Sequence, residues 1–218
     1  SSGTLTFQEN FEQQQSRLRE IGEALEPHGI KIGVSLQAST GKEPEGEYKF
    51  VQSADEIITL VKTIGQDNVG LALDCWEWVV GGGTVDQLKD QDLCNKITEV
   101  RLADVVAGSD LSSVTKNDRT KLPADEVNSF SFQAAKALIE AGYSGPMSVG
   151  TSLSTFSDGS RDKIVGVLSK QLDQIIAGED PAAILAAAAA AAEAAADGEA
   201  EDGEQASTDA EAVATAKG

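Results

Sequence analysis

The chain has 218 residues, of which 40% are hydrophobic, and a formal net charge of −19 at pH 7. This composition is ordinary for a globular protein, and the length accommodates one domain, or one domain with a tail. So acidic a chain would be repelled by a nucleic-acid backbone or an anionic membrane surface, which disfavours both as partners. No segment is long and apolar enough to predict a membrane span.

The two cysteines, Cys75 and Cys94, lie far apart and form no CxxC pair. Their spacing indicates neither a disulfide framework nor a zinc site. A reducing compartment, the cytoplasm, is therefore the expected location. The chain starts at Ser1 without a methionine and shows no signal-like apolar segment, so a missing or removed N-terminal portion is considered.

The first part of the chain alternates helical and strand patterns. Apolar residues recur at helical spacing from Phe7 to Glu26, and a β-branched run from Ile30 to Leu36 predicts a strand that enters a polar Gly/Pro loop. A second helix is predicted from Ser53 to Ile64. Ser53 and Glu56 form the pattern of a capping box at its start.

The same alternation continues to residue 177. The predicted elements are a strand from Val69 to Asp74, a helix from Val85 to Lys96, a strand from Thr98 to Leu102, a helix from Phe130 to Ala141, a strand from Met147 to Val149 and a helix from Arg161 to Ala177. Such alternation is typical of parallel β/α units, giving an α/β fold. Four units form either a small open sheet or half of an eight-stranded (β/α)8 barrel, which needs about 250 residues.

The composition changes at Pro181. Residues 182–196 are almost all alanine, and the remainder up to residue 218 is rich in Gly, Glu, Asp, Ser and Thr. We expect residues 1–180 to form the domain and residues 181–218 to form an alanine-rich helix followed by a disordered acidic tail, with either no role or a tethering role.

Four short blocks resemble the C-terminal half of a xylose isomerase-like TIM barrel, the superfamily of sugar phosphate isomerases, epimerases and inosose dehydratase-like proteins. They occur in the family's order, before or within its fifth to eighth strands. The blocks are His28 to Gly33, Asn68 to Asp74 with the following Trp-Glu-Trp, Ile97 to Asp104, and Ala141 to Val149. The resemblance implies half of a TIM barrel with about four strands, spanning residues 7 to 177.

The resemblance also implies a divalent metal at the carboxyl ends of these strands, where barrel active sites lie. The family's four ligand positions fall on Ser35, Asp74, Arg101 and Gly150. Only Asp74 offers a carboxylate, so no bound metal is expected. We expect the Arg101 guanidinium to stand roughly where the metal charge would lie, paired with Asp74 or Glu77.

Two hypotheses for function follow from the resemblance. One is a non-catalytic or repurposed protein with a degenerate metal site, which binds a small sugar or polyol through these residues and Asp104. The other is a working sugar isomerase, epimerase or lyase acting on a small carbohydrate or polyol. In either case a missing N-terminal half or another chain would cover the edges of the sheet.

Overall fold

A computed structural model describes residues 5–39, 50–123, 126, 129–156 and 159–190 apart from 185 and 188. Four strands alternate with helices along the chain. The strands are β1 (Ile32–Val34), β2 (Val69–Asp74), β3 (Ile97–Leu102) and β4 (Met147–Val149). The α-helices are α1 (Phe7–Leu25), α2 (Ala54–Thr63), α3 (Cys75–Val80), α4 (Val85–Leu88), α5 (Gln91–Cys94), α6 (Phe130–Glu140) and α7 (Arg161–Ile176).

The strands form one parallel sheet in the order β1-β2-β3-β4. This arrangement confirms the predicted α/β fold of parallel units. Asp74 of β2 is the register partner of Arg101 in β3, and Arg101 is in turn the partner of Ser148 in β4. In the described part of the chain, β1 and β4 are the two edges of the sheet.

The two faces of the sheet differ in chemistry. On one face the side chains of Leu71, Leu73 and Val100 are at most 1% exposed and pack in a core with apolar residues of α2, α5 and α6. The alternate residues, such as Ala72 and Arg101, are small or polar and point to the opposite face. In a closed barrel this opposite face would be the interior.

The ends of the helices follow from local sequence. The predicted capping box at Ser53 and Glu56 is confirmed: Ser53 Oγ accepts from the Glu56 N–H, and the Glu56 carboxylate accepts from the Ser53 N–H. Thr6 and Glu9 form a second capping box at the start of α1. Such reciprocal caps satisfy backbone N–H groups that the first helical turn leaves free.

Three elements differ from the sequence prediction. The single helix expected from Val85 to Lys96 is two short helices, because the Asp90 side chain accepts a hydrogen bond from the Asp92 N–H and starts α5 anew. Helix α3 follows β2 directly and was not predicted. Strand β1 is shorter than expected, and most of the predicted tail, from residue 191 onwards, lies outside the described residues.

Within the described ranges, none of the helices combines the length and apolar character that a membrane span requires. Cys75 and Cys94 are both buried and carry free thiols. Burial raises the pKa of the Cys75 thiol well above its usual value, and the nearby carboxylates of Asp74 and Asp104 raise it further. This thiol is therefore protonated and unreactive at neutral pH.

Candidate functional site

The four family-derived positions converge at one end of the sheet. Ser35 directly follows β1, Asp74 ends β2, Arg101 is the penultimate residue of β3, and Gly150 directly follows β4. Because the strands are parallel and adjacent, their carboxyl ends meet at one edge of the sheet, which we call the carboxyl edge. The parallel strand order therefore brings together the four positions that the family resemblance implied.

A cavity of about 260 Å³ opens at the carboxyl edge, and we call it the sheet-end cavity. It is lined by Ser35, Leu36, Gln37, Asp74, Glu77, Arg101, Lys116 and Arg119. Four of the six candidate residues from the sequence thus share one cavity. Gly150 adjoins it, since a Cβ atom there would lie 3.4 Å from Nη1 of Arg119, and Asp104 lines a different cavity.

Asp74 is held by an arginine that the sequence hypothesis did not place there. Nη1 of Arg119 lies 2.8 Å from Asp74 Oδ2, and Nη2 of Arg119 donates to Asp74 Oδ1 at 2.9 Å. This bidentate pair is the strongest geometry for a guanidinium and a carboxylate. Oδ1 of Asp74 also accepts from the backbone N–H groups of Trp76 and Glu77, which begin α3.

Arg101, which the sequence hypothesis placed in this role, lies farther away. Its Nη1 is 3.8 Å from Asp74 Oδ2, within the expected salt-bridge reach, but its side chain is 48% exposed. The Arg119 side chain is only 13% exposed. The predicted ion pair between Arg101 and Asp74 is thus present at a long distance, but the cation in close, bidentate contact with Asp74 is Arg119.

Arg119 is fixed on two further sides. Its guanidinium carbon lies 5.2 Å from the centre of the Trp76 ring, in cation–π geometry, and Nη1 donates to the Gly150 carbonyl at 3.4 Å. Trp76 itself is fully buried. Nε of Arg119 and Nε1 of Trp76 are buried donors with no acceptor in the described part of the chain.

Glu77 connects α3 to the loop after β1. Its carboxylate accepts from the Ser39 N–H at 2.8 Å and from the Ser39 hydroxyl at 2.7 Å, and both residues are buried. Nη2 of Arg119 is 3.9 Å from Glu77 Oε1, a longer contact. The Glu77 carboxylate is thus occupied mainly by the loop that carries one wall of the sheet-end cavity.

The side chain of Arg101 fills the space that a side chain at position 150 would need. A Cβ atom at Gly150 would lie 2.3 Å from Cγ and 2.6 Å from Cδ of Arg101. These distances are below any real Cβ contact, so a larger residue at position 150 requires Arg101 to move. A side chain at position 150 and the present conformation of Arg101 are therefore incompatible.

Asp104 has a separate environment. It is 5% exposed, accepts from the Ser131 N–H at 2.7 Å and from the Ser129 hydroxyl, and so binds the first turn of α6. Burial raises the pKa of Asp104 despite these hydrogen bonds, and the Glu126 carboxylate adds to the shift. Asp104 lines a cavity of about 310 Å³ beside Val79 rather than the sheet-end cavity.

The residues at the four ligand positions do not fit the divalent metal that the resemblance implies. Asp74 is their one carboxylate, and both of its oxygens are bonded to Arg119. Ser35 donates weakly to the Leu36 carbonyl, Arg101 is a cation, and Gly150 has no side chain. The described residues contain no group of three or more His, Cys, Asp or Glu side chains arranged to hold a metal ion.

Sequence reasoning missed Arg119 and Lys116 because both come from the long loop after β3, about 45 residues beyond Asp74. Loop conformation is not encoded in a periodic pattern, so the contact could not be derived from spacing. One signal was present: Arg119 is the only arginine in the polar segment between Ala103 and Asn128. Ser39, the partner of Glu77, had no signal of its own.

Comparison with known proteins identifies relatives of this chain. A family model described as a xylose isomerase-like TIM barrel matches residues 2–169. An inosose isomerase from Halalkalibacterium halodurans is 29% identical over 132 residues, which is 61% of this chain and 43% of that protein. The chain thus spans less than half of this curated relative.

Two solved structures share the fold. The crystal structure of the IOLI protein with a binding zinc atom superposes with a TM-score of 0.64 at 22% identity, over 79% of this chain and 58% of that one. A xylose isomerase domain protein from Alicyclobacillus acidocaldarius subsp. acidocaldarius gives a TM-score of 0.65 at 25% identity, over 78% and 59% of the two chains. In each case the chain matches little more than half of the larger structure.

Proposed function

This chain belongs to the xylose isomerase-like TIM barrel family, and we propose that it is a non-catalytic or repurposed member that binds a small sugar or polyol in the sheet-end cavity without a divalent metal. Barrel proteins carry their ligand sites at the carboxyl edge of the sheet, which supports this location. Two buried free thiols support a reducing, cytoplasmic environment for the protein.

The observation that carries the proposal is the bidentate contact between Arg119 and Asp74. A metal at this edge would need the Asp74 oxygens, and a guanidinium at 2.8 Å already neutralises them. A dication placed beside two arginines would also be repelled by their charge. The positive charge that a metal would supply is therefore provided by the protein.

The other polar side chains that line the cavity can form hydrogen bonds with the hydroxyl groups of a sugar or polyol. The Ser35 hydroxyl and the Gln37 amide each combine donor and acceptor capacity, and Arg101 and Lys116 present N–H donors. The cavity volume of about 260 Å³ is slightly below the usual range for ligand pockets and suits a small molecule of sugar size. The curated relative, an inosose isomerase, is named for a polyol-like substrate, which supports the same ligand class.

Calorimetric titration of the EDTA-treated chain tests the proposal. Separate titrations with Mn²⁺, Co²⁺ and Mg²⁺ are expected to show no stoichiometric binding, whereas a panel of inososes, ketoses and cyclic polyols should include a ligand that binds in EDTA. The Asp74→Asn variant is the control for metal titrations. Stoichiometric metal binding that this variant abolishes would refute the metal-independent site.

The competing proposal is a working isomerase, epimerase or lyase, and the similarity to an inosose isomerase favours it. Such an enzyme would need an acid or base in the cavity, and Asp74 and Glu77 are its only described carboxylates. Turnover of an inosose or ketose by the chain, lost in the Glu77→Gln variant while the fold is retained, would establish this function instead.

The proposal extends to the edges of the sheet. A four-stranded piece of a barrel leaves hydrogen-bonding groups at β1 and β4, and proteins normally pair or cover such edges. The solved relatives are longer than this chain, which supports further β/α units as the cover, supplied by the same protein or by another chain.

A further inference from the structure

We infer that the ligand of the sheet-end cavity carries an anionic group, a phosphate ester or a carboxylate, and that Arg101 and Lys116 bind this group. The inference rests on the proposed function in using the same cavity and adds the chemical class of its ligand. Two observations support it: the cavity is lined by more cations than carboxylates, and two of those cations are not closely paired with a described carboxylate.

The cavity is positively charged in a strongly acidic protein. The chain has 36 acidic residues against 17 lysines and arginines. Three of the latter, Arg101, Lys116 and Arg119, line this one cavity, against two carboxylates, Asp74 and Glu77. Concentrating cations in one concave site raises the local concentration of anions there.

Both carboxylates are already neutralised or bonded without using Arg101 or Lys116. Asp74 is held by the bidentate contact with Arg119 and by the first N–H groups of α3. Glu77 accepts two hydrogen bonds from Ser39. Arg119 is thus paired inside the protein. Among the described residues, no carboxylate lies at hydrogen-bond distance from the two remaining cations, which face the cavity.

The contacts of these two cations are weak. Nη1 and Nη2 of Arg101 lie 3.8 Å from Asp74 Oδ2 and 4.0 Å from Glu99 Oε1, at the outer limit of an ion pair, and Glu99 does not line the cavity. Nζ of Lys116 donates at 3.4 Å to Gln37 Oε1, which is uncharged. Within the described part of the chain, this guanidinium fork and this ammonium both retain N–H donors that an anion in the cavity could accept from.

Phosphate esters and carboxylates share the chemistry that this pair recognises. Both present two or more negatively charged oxygens, which a guanidinium binds in a bidentate manner and an ammonium binds as a point charge. The cavity also holds the Ser35 hydroxyl and the Gln37 amide for the neutral part of the ligand. The test must therefore distinguish binding of the anionic group itself from binding of the sugar that carries it.

Titration of the full chain in EDTA at constant ionic strength, with inorganic phosphate, glucose 6-phosphate, glucuronate and glucose, tests the inference. We expect inorganic phosphate to bind and the two anionic sugars to bind at least about tenfold more tightly than glucose. Arg101→Gln and Lys116→Gln should each weaken the anions about tenfold. Lys89→Gln is the matched control, since Lys89 pairs with Asp86 on an exposed surface and should leave binding unchanged.

The outcomes separate this inference from the proposed function. If both anionic sugars bind more tightly than glucose, the inference is supported. Tighter binding of glucose 6-phosphate than of glucuronate then identifies a phosphate ester as the ligand group, and the reverse order identifies a carboxylate. Equal binding of glucose and its anionic forms, or anion binding unaffected in both variants, overturns the inference and leaves metal-free polyol binding intact. Metal-dependent binding instead overturns the proposed function, and no binding of any probe or polyol overturns both.

Discussion

Two arginines approach Asp74, and their burial determines what each contributes. Arg119 is 13% exposed and contacts both oxygens of a carboxylate that is itself 6% exposed. Arg101 is half-exposed and contacts one oxygen at 3.8 Å. Removing the cation of a buried pair strands a charge, whereas removing an exposed cation at long distance changes little.

We therefore expect the Arg119→Ala variant to lose about 3 kcal/mol of unfolding free energy, because Asp74 would remain buried without its counter-charge and Trp76 would lose its stacked partner. Arg101→Ala should lose less than about 1 kcal/mol. Urea denaturation followed by tryptophan fluorescence measures both. A larger loss in Arg101→Ala than in Arg119→Ala would contradict the assigned pairing.

Asp104 should make stability depend on pH. Its pKa is 3.8 when exposed, and burial raises it in the folded protein, so the folded state binds the proton more tightly than the unfolded state. The stability contributed by Asp104 is therefore full below its unfolded pKa and is lost as pH rises through the raised folded pKa. A neutral side chain at this position would not show that loss.

Urea denaturation of the parent chain and of Asp104→Asn between about pH 3 and pH 7 tests this dependence. The asparagine can still accept from the Ser131 N–H. We expect the variant to gain stability relative to the parent as pH rises, with no such gain below the unfolded pKa. A constant difference across the whole range would show that Asp104 is ionised at no cost.

At the scale of the elements, the contact between β2 and β3 depends on a glycine. A Cβ atom at Gly70 would lie 1.8 Å from the backbone oxygen of Lys96. That oxygen also accepts from the Leu71 N–H at 2.7 Å, so it cannot withdraw without breaking a hydrogen bond of the sheet. Only a residue without a side chain permits this approach.

We expect Gly70→Ala to reduce the free energy of unfolding by about 3 kcal/mol, through overpacking against backbone that cannot yield. Gly166→Ala is the matched control. Gly166 lies in α7 with nothing within 4 Å of its would-be Cβ, so the same substitution should stabilise by about 0.5 to 1 kcal/mol. Similar effects of the two substitutions would contradict the assigned contact.

The elements also show how much the sequence could predict. The four strands followed from short apolar and β-branched runs, and α2 followed from its capping box, because these signals are local. The adjacent parallel order of the strands was implied by the resemblance to a barrel. Helix α3 was missed because its Trp-Glu-Trp segment is too short to show a period, although Asp74 before it is a regular N-cap. The positions of Ser35, Asp74 and Arg101 were implied by the family resemblance, whereas the position of Arg119 depends on a loop fold that only tertiary contacts determine.

At the scale of the whole molecule, the four strands form an incomplete barrel wall. Among the described residues the sheet ends at β1 and β4, and the chain covers 58% and 59% of the two longer structures with the same fold. Ile30, just before β1, is 47% exposed although it is a large apolar residue. Exposed apolar side chains beside an unpaired strand edge favour association with a further chain.

We therefore expect the isolated 218-residue chain to self-associate in sedimentation velocity experiments at concentrations of tens of micromolar, and Ile30→Lys to shift it toward the monomer, because a lysine beside a strand edge opposes pairing. Ile139→Lys is the matched control: Ile139 is 40% exposed but lies on α6, which connects β3 and β4 and so lies away from β1 in the order of the sheet. It should leave the association unchanged. A monomeric parent chain, or equal effects of the two lysines, would show that β1 is not the associating edge.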